Sequence, residues 1–291
     1  MDTDSRLLSV VAITGSSILV GCGGYSGSSC GSYGSYGSYG SFAAGSRRRS
    51  VHAARNANAA TPAPGSGSYS ACAPPGNGAA GIYEGTLTDE STQNVNPVVL
   101  IIAENGDGMM SGQDGAYYHL SLGTSGNDIS GSFSAYSAGS SLPDGTRATS
   151  GSVSFTANAA GGLDGTLTGQ SGYAAALSLN FDYSYELASA LPTLAGSWNY
   201  SADGFSLSAT ILADGTFSAV DSNNCSYSGA FNLIDPNFNA YSESFSRSCN
   251  GINVTFAGLA SYFPAAGSGT PPLIKLLADD NHGDYLVADL K

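Results

Sequence analysis

The chain has 291 residues, a formal charge of −13, and charged side chains at only 11% of its positions. So acidic a composition argues against nucleic acid as a partner, because phosphate backbones repel it. Five cysteines with no Cys-x-x-Cys pair and no Cys/His cluster argue against a zinc site and against thiol redox chemistry.

The chain begins with a largely apolar run over residues 7–20. Its 14 residues are fewer than the roughly 20 a membrane-spanning helix needs, and the length suits the hydrophobic region of a secretory signal. The run closes on Leu19-Val20-Gly21-Cys22, a tetrapeptide that resembles the lipobox of bacterial lipoproteins. The stretch before the run departs from the usual pattern in carrying Asp2 and Asp4 beside Arg6. The resemblance implies a signal peptide over residues 1–21, cleavage before Cys22, and acyl chains (palmitate among them) on that cysteine. Gly23 is not the aspartate that goes with inner-membrane retention, so the resemblance further implies the outer membrane. Acylation of Cys22 would leave four cysteines, enough for a Cys225–Cys249 and a Cys30–Cys72 disulfide.

Residues 22–80 are of low complexity, dominated by Gly, Ser, Ala and Pro, with the Gly-Ser-Tyr triplet three times in succession from Gly31. Such a composition cannot bury enough apolar surface to offset its ordering entropy, and reads as a flexible tether. Its span is roughly 40–45 Å by the flexible-chain estimate. The segment is basic, with Arg47, Arg48, Arg49 and Arg55 and no carboxylate. Beyond residue 80 the balance reverses: 20 carboxylates stand against Arg147, Arg247, Lys275 and Lys291, a net −16.

From residue 81 onward helix periodicity is almost absent and strand alternation dominates. Over residues 173–187, Tyr173, Ala175, Leu177, Leu179, Phe181, Tyr183, Tyr185 and Leu187 share one face, which predicts one long half-buried strand. Phe205, Leu207, Ala209 and Ile211 repeat the pattern, as do Val153, Phe155 and Ala157. Turn signals punctuate it at Asn105-Gly106, Asp107-Gly108, Asp114-Gly115, Asp144-Gly145, Asp164-Gly165, Asp203-Gly204 and Asp214-Gly215. A faint repeat, Gly81-Ile82-Tyr83 against Gly196-Ser197-Trp198, divides the region into domains at 81–190 and 191–291. Each has room for about eight strands in a meander. The predicted fold is therefore all-β, two tandem small up-and-down antiparallel barrels, with two β-sandwich domains as the alternative. Leu194-Ala195-Gly196-Ser197-Trp198 resembles the Gly-x-Trp opening of lipocalin-like barrels, in which the tryptophan packs across the barrel floor. That family sets a late arginine against the tryptophan; here only Lys275 and Lys291 follow in the corresponding stretch.

Geometry can be read most closely around Asp235-Pro236-Asn237. A hairpin centred on Asn237 sets Cys225 opposite Cys249, within reach of a cross-strand disulfide. One face then carries Ser226, Ser228, Ala230, Asn232, Ser242, Ser244, Ser246 and Ser248. The other carries Tyr227, Phe231, Leu233, Tyr241 and Phe245, and with them Glu243 and Arg247. Two charges on an apolar face are costly unless something offsets them. Either they line a ligand cavity with Trp198, Tyr227 and Phe231, or a bulge shifts the register, or they sit at a wet rim.

Catalytic constellations are poor. His52 lies in the tether, His119 has the parity of a solvent-facing residue, and His282 lies in a turn. No Gly-x-Ser-x-Gly elbow sits at a strand-to-helix turn. Asn105, Asp107 and Asp114, and likewise Asp279, Asp280, Asn281 and Asp284, lack EF-hand spacing and read as turn residues rather than calcium ligands. The expectation is a non-catalytic binding lipoprotein without metal or cofactor, its partner an envelope protein, a glycan or a small ligand. The alternatives are a structural or assembly-accessory lipoprotein, or an inhibitor or hydrolase.

Overall fold

The structure, a computed structural model, describes residues 78–291, apart from 126–127, 138–141, 143–146, 159–160, 203, 266–269 and the side chain of 171. Cys22, Cys30, Cys72, the tether arginines, the Asp144-Gly145 turn and Asp203 thus lie outside the described residues.

The fold is all-β. The first barrel runs β1 (Gly81–Asp89), β2 (Val95–Ile102), β3 (Asp107–Gly112), β4 (Ala116–Ser125), β5 (Asp128–Ser137), β6 (Ala148–Ala157), β7 (Leu163–Gly169) and β8 (Ala174–Asp182). Every neighbour is antiparallel and consecutive, and β1 closes the circle on β8 through eight residue pairs, Ile82↔Asp182 to Asp89↔Ala175. Inward positions are apolar and packed: Tyr83, Leu100, Met110, Tyr118, Phe133 and Phe155 are all at most 3% exposed. The phenols among them are matched, Tyr83 Oη donating to the Ala79 carbonyl at 3.0 Å and Tyr118 Oη meeting Tyr173 Oη at 3.0 Å. Outward positions such as Ser130, Ser132, Ser152, Ser154, Thr166 and Thr168 are exposed. An apolar inside and a hydroxyl-clad outside invert the pattern of a membrane-spanning barrel, whose lipid-facing band is apolar.

A short helix, α1 (Leu191–Leu194), leads into the second barrel: β9 (Gly196–Ala202), β10 (Phe205–Ile211), β11 (Thr216–Asp221), β12 (Ser226–Leu233), β13 (Tyr241–Cys249), β14 (Ile252–Phe263), β15 (Leu273–Asp279) and β16 (Tyr285–Leu290). This is again a meander, but the ladder runs from β16 to β9 without closing. Among the described residues the two edge strands are tied by one pair of hydrogen bonds, Asn199 N to Lys291 O and Lys291 N to Asn199 O, both 2.8 Å. α1 plugs the floor: Leu194 is fully buried, and Trp198 Nε1 donates to its carbonyl at 2.8 Å.

Two sequence expectations change here. The alternation over residues 173–187 is broken: β8 ends at Asp182, and Tyr183–Glu186 forms a 3-10 turn capped by Asp182, whose Oδ1 accepts from Ser184 N. Turn chemistry outweighs the apolar alternation. Asp107-Gly108 and Asp164-Gly165 are not turns but lie within β3 and β7. At Gly165 a Cβ would stand 2.3 Å from the Phe155 ring, so glycine there makes room for a core aromatic. Gly106, Gly115, Gly204 and Gly215 do occupy positive φ beside hairpin turns.

The barrels pack wall to wall through a third apolar cluster that includes Ile82, Ile101, Met109, Leu259, Leu277 and Val287. Tyr117 stacks on Tyr285 with ring centroids 5.1 Å apart, and Tyr185 on Phe238 at 5.2 Å. Asn239 ties the segment between the barrels to β14: its Nδ2 donates to the carbonyls of Ser184 (3.1 Å) and Tyr262 (2.6 Å), and its Oδ1 accepts from Tyr262 N (3.0 Å).

Candidate functional site

The β12–β13 hairpin has the register read from its sequence. Ser226 pairs with Ser248, Ser228 with Ser246, and Phe231 with Glu243, with no bulge. The turn is set by Asp235, whose Oδ1 accepts from the backbone and side-chain nitrogens of Asn237 at 2.9 and 2.8 Å. Cys225 and Cys249 form a disulfide with Cα atoms 4.4 Å apart.

Glu243 points into the barrel and is 3% exposed. Neither carboxyl oxygen has a hydrogen-bond partner among the described residues. Oε1 lies against Gly258, where a Cβ would come within 2.7 Å of it, so glycine opposite creates the space the carboxyl occupies. Burial pushes the carboxyl well above the usual carboxylate range. Arg247 leads away from it. Its guanidinium lies 5.3 Å from the centre of the Phe256 ring and its Nη2 is 3.3 Å from Asp284 Oδ2 in the β15–β16 turn. Glu243 and Arg247 are therefore not a pair: one is interior, the other reaches the rim. Asp221 organises that rim, accepting from the backbone N of Asn223 and Cys225 and from Tyr227 Oη at 2.8–2.9 Å.

Of the residues predicted around a ligand cavity, the structure brings Tyr227 and Phe231 to one. They line an apolar void of about 20 Å³ with Leu207, Ile211, Phe217 and Leu286. Trp198, Glu243 and Arg247 are not among its lining residues. Small-molecule pockets run to about 300–1,000 Å³, so this void is a packing gap of little more than a water's volume. Trp198 sits against Tyr262, edge to face with centroids 6.4 Å apart. Lys275 lies on the outer wall, bonded to Asp289 at 2.6 Å, and does not reach the tryptophan as the lipocalin arginine would.

His119 departs most from its sequence reading. It is not solvent-facing but held at the barrel junction, Nε2 2.9 Å from Asp107 Oδ1 and Nδ1 2.9 Å from Asp279 Oδ2. The hydrogen bond it donates to Asp107 and then its close pairing with Asp279 push its pKa up to about 10, so it is an imidazolium at neutral pH. Asp279 is 1% exposed on its side chain, so this cation is its charge partner in the interface. The parity rule failed because the outward face of β4 meets the second barrel instead of water. The Asp/Asn clusters behave as turn residues: Asn105 Oδ1 accepts from Asp107 N, Asp114 Oδ1 from Ala116 N, and Asp280 Oδ1 from His282 N and Asp284 N. No group of three metal-ligating side chains occurs among the described residues.

No protein-family model and no curated protein matches the chain. Among solved structures, the chain is similar to a "putative outer membrane protein" of Bacteroides fragilis, with 13% identity and a TM-score of 0.28, over 72% of this chain and 95% of that one.

Proposed function

We propose that the chain is a lipoprotein of the bacterial outer membrane, anchored through an acylated Cys22, whose twin barrels bind a partner by their outer surface without catalysis. What carries this reading is the packing of both interiors. Among the described residues, the void beside Tyr227 and Phe231 measures about 20 Å³, too small for a small-molecule ligand of ordinary size. Recognition then falls to the walls and edges. The docked junction supports the reading, since it joins the walls of the two barrels through one apolar cluster. The lipobox-like Leu19-Val20-Gly21-Cys22 supports the anchor.

Two measurements test it. Mass spectrometry of the mature amino-terminal peptide should find Cys22 acylated, and Cys22→Ser should move the protein from the membrane to the soluble fraction. Affinity capture from envelope fractions should then return a partner in stoichiometric amount. An unmodified Cys22 would remove the anchor; an empty capture with correctly lipidated protein would remove the binding role.

A further inference from the structure

We propose that the seam between β9 and β16 is a strand-acceptor site, taking an extended segment of a partner protein whose residues alternate between apolar and basic. The proposal rests on the surface-binding reading and names its partner class.

Barrel 1 shows what a finished seam looks like, with β1 and β8 joined along eight residue pairs. In barrel 2 the corresponding strands share the Asn199–Lys291 pair. Continuing that antiparallel register would set Ser201 opposite Asp289, yet among the described residues the ladder goes no further. A sheet edge left open presents backbone donors and acceptors to an incoming strand.

The core behind the opening is packed but incompletely covered. The apolar void of about 20 Å³ is lined by Leu286 and Leu290 of β16 and by Leu207, Ala209 and Ile211 of β10, the strand beside β9. Ala202, Phe205 and Leu286, which belong to the same core, are only half-buried. An inserted strand would turn alternate side chains inward, and an apolar one would cover these half-buried residues. Its other side chains would face the acidic outside. Asp289 lies there, with one carboxyl oxygen bonded to Lys275 at 2.6 Å, and so does Glu84 of β1, whose carboxyl is raised by burial and by Asp182 and Asp289 and lowered by Lys275. The region beyond residue 80 carries a net −16, so basic residues are the complement.

The test uses the full-length protein and a synthetic heptapeptide of alternating Leu and Lys, with a Leu/Glu heptapeptide as control. Hydrogen exchange of the free protein should show the amides of Ser201, Ala202 and residues 286–289 exchanging at least tenfold faster than those of the β1–β8 seam. The Leu/Lys peptide should slow them, and the Leu/Glu peptide should not. A Ser201→Cys, Asp289→Cys variant should bind the peptide far more weakly when oxidised to close the seam than when reduced. Equal protection of the two seams in the free protein would overturn the proposal, as would undiminished binding by the closed variant. Strand exchange into a dimer, without peptide uptake, would overturn it too. Envelope capture separates the two readings: a closed variant that still retains the wild-type partner sinks strand acceptance alone, whereas failure of the wild type to retain any partner sinks the surface-binding role.

Discussion

The two barrels share strand number, direction and connectivity, and differ in how they are closed and filled. Barrel 1 closes on itself through a continuous ladder, and its core phenols find partners inside it. Barrel 2 closes through one residue pair, carries a disulfide, and buries a carboxyl with no partner among the described residues. One architecture therefore tolerates two strategies. Backbone closure alone suffices where the ladder is complete; where it is not, a covalent staple and a floor plug supply the constraint. The unmatched Glu243 marks barrel 2 as the half less optimised for stability, as expected where structure is set aside for function.

The largest test of that contrast is the disulfide. Cys225→Ala with Cys249→Ala should destabilise barrel 2 by about 3 kcal/mol, the loop-closure estimate for cysteines 24 residues apart, and leave barrel 1 nearly unchanged. Denaturant unfolding followed by hydrogen exchange would show barrel 2 melting first; equal loss in both barrels would contradict the division. Next comes the junction. His119 in the folded state has a pKa near 10, above its ordinary 6.5, so its contribution is complete below pH 6.5 and fades as pH rises through 10. His119→Gln should cost about 2 kcal/mol at pH 6, less than the full shift because the pair is partly exposed, and nothing at pH 11. Melting temperatures of both proteins across that range would reveal the convergence.

Glu243 has the opposite consequence for substitution. Its folded carboxyl is raised above 4.5, so barrel 2 is most stable below that pH and weakens as pH climbs. Glu243→Gln should remove that slope and make the protein more stable than the wild type at pH values well above 4.5, because the amide cannot ionise. A destabilised Gln variant at pH 7 would mean the carboxyl has a partner after all. The smallest effect is expected at Lys275→Met, which breaks the outer-wall pair with Asp289 and should cost about 0.5 kcal/mol in a salt-dependent melt.

Much of the fold was legible because a wall that is apolar within and wet without writes a period of two. The β12–β13 register, including the disulfide, followed from residues equidistant from Asn237. The junction was not legible. An outward Tyr117 or His119 looks the same in sequence whether water or another barrel lies beyond it. Nor could the stop of β8 be read, since Tyr183, Tyr185 and Leu187 keep the alternation after Asp182 has turned the chain. The open seam escapes sequence reading for a related reason. Closure depends on the stagger of eight strands together, which no single segment records. Glu243 and Arg247 stand out in the sequence as charges on an apolar face, but the size of the void depends on how the aromatics around it interlock.

The single tryptophan of the chain, Trp198, lies in barrel 2, 6% exposed and hydrogen-bonded to Leu194. Indole emission, excited selectively at the red edge of the absorption band, therefore watches one half of the molecule alone. The other half is visible only through tyrosine. Without any dye attached, the wild-type protein reports in two separate optical channels which barrel loosens first.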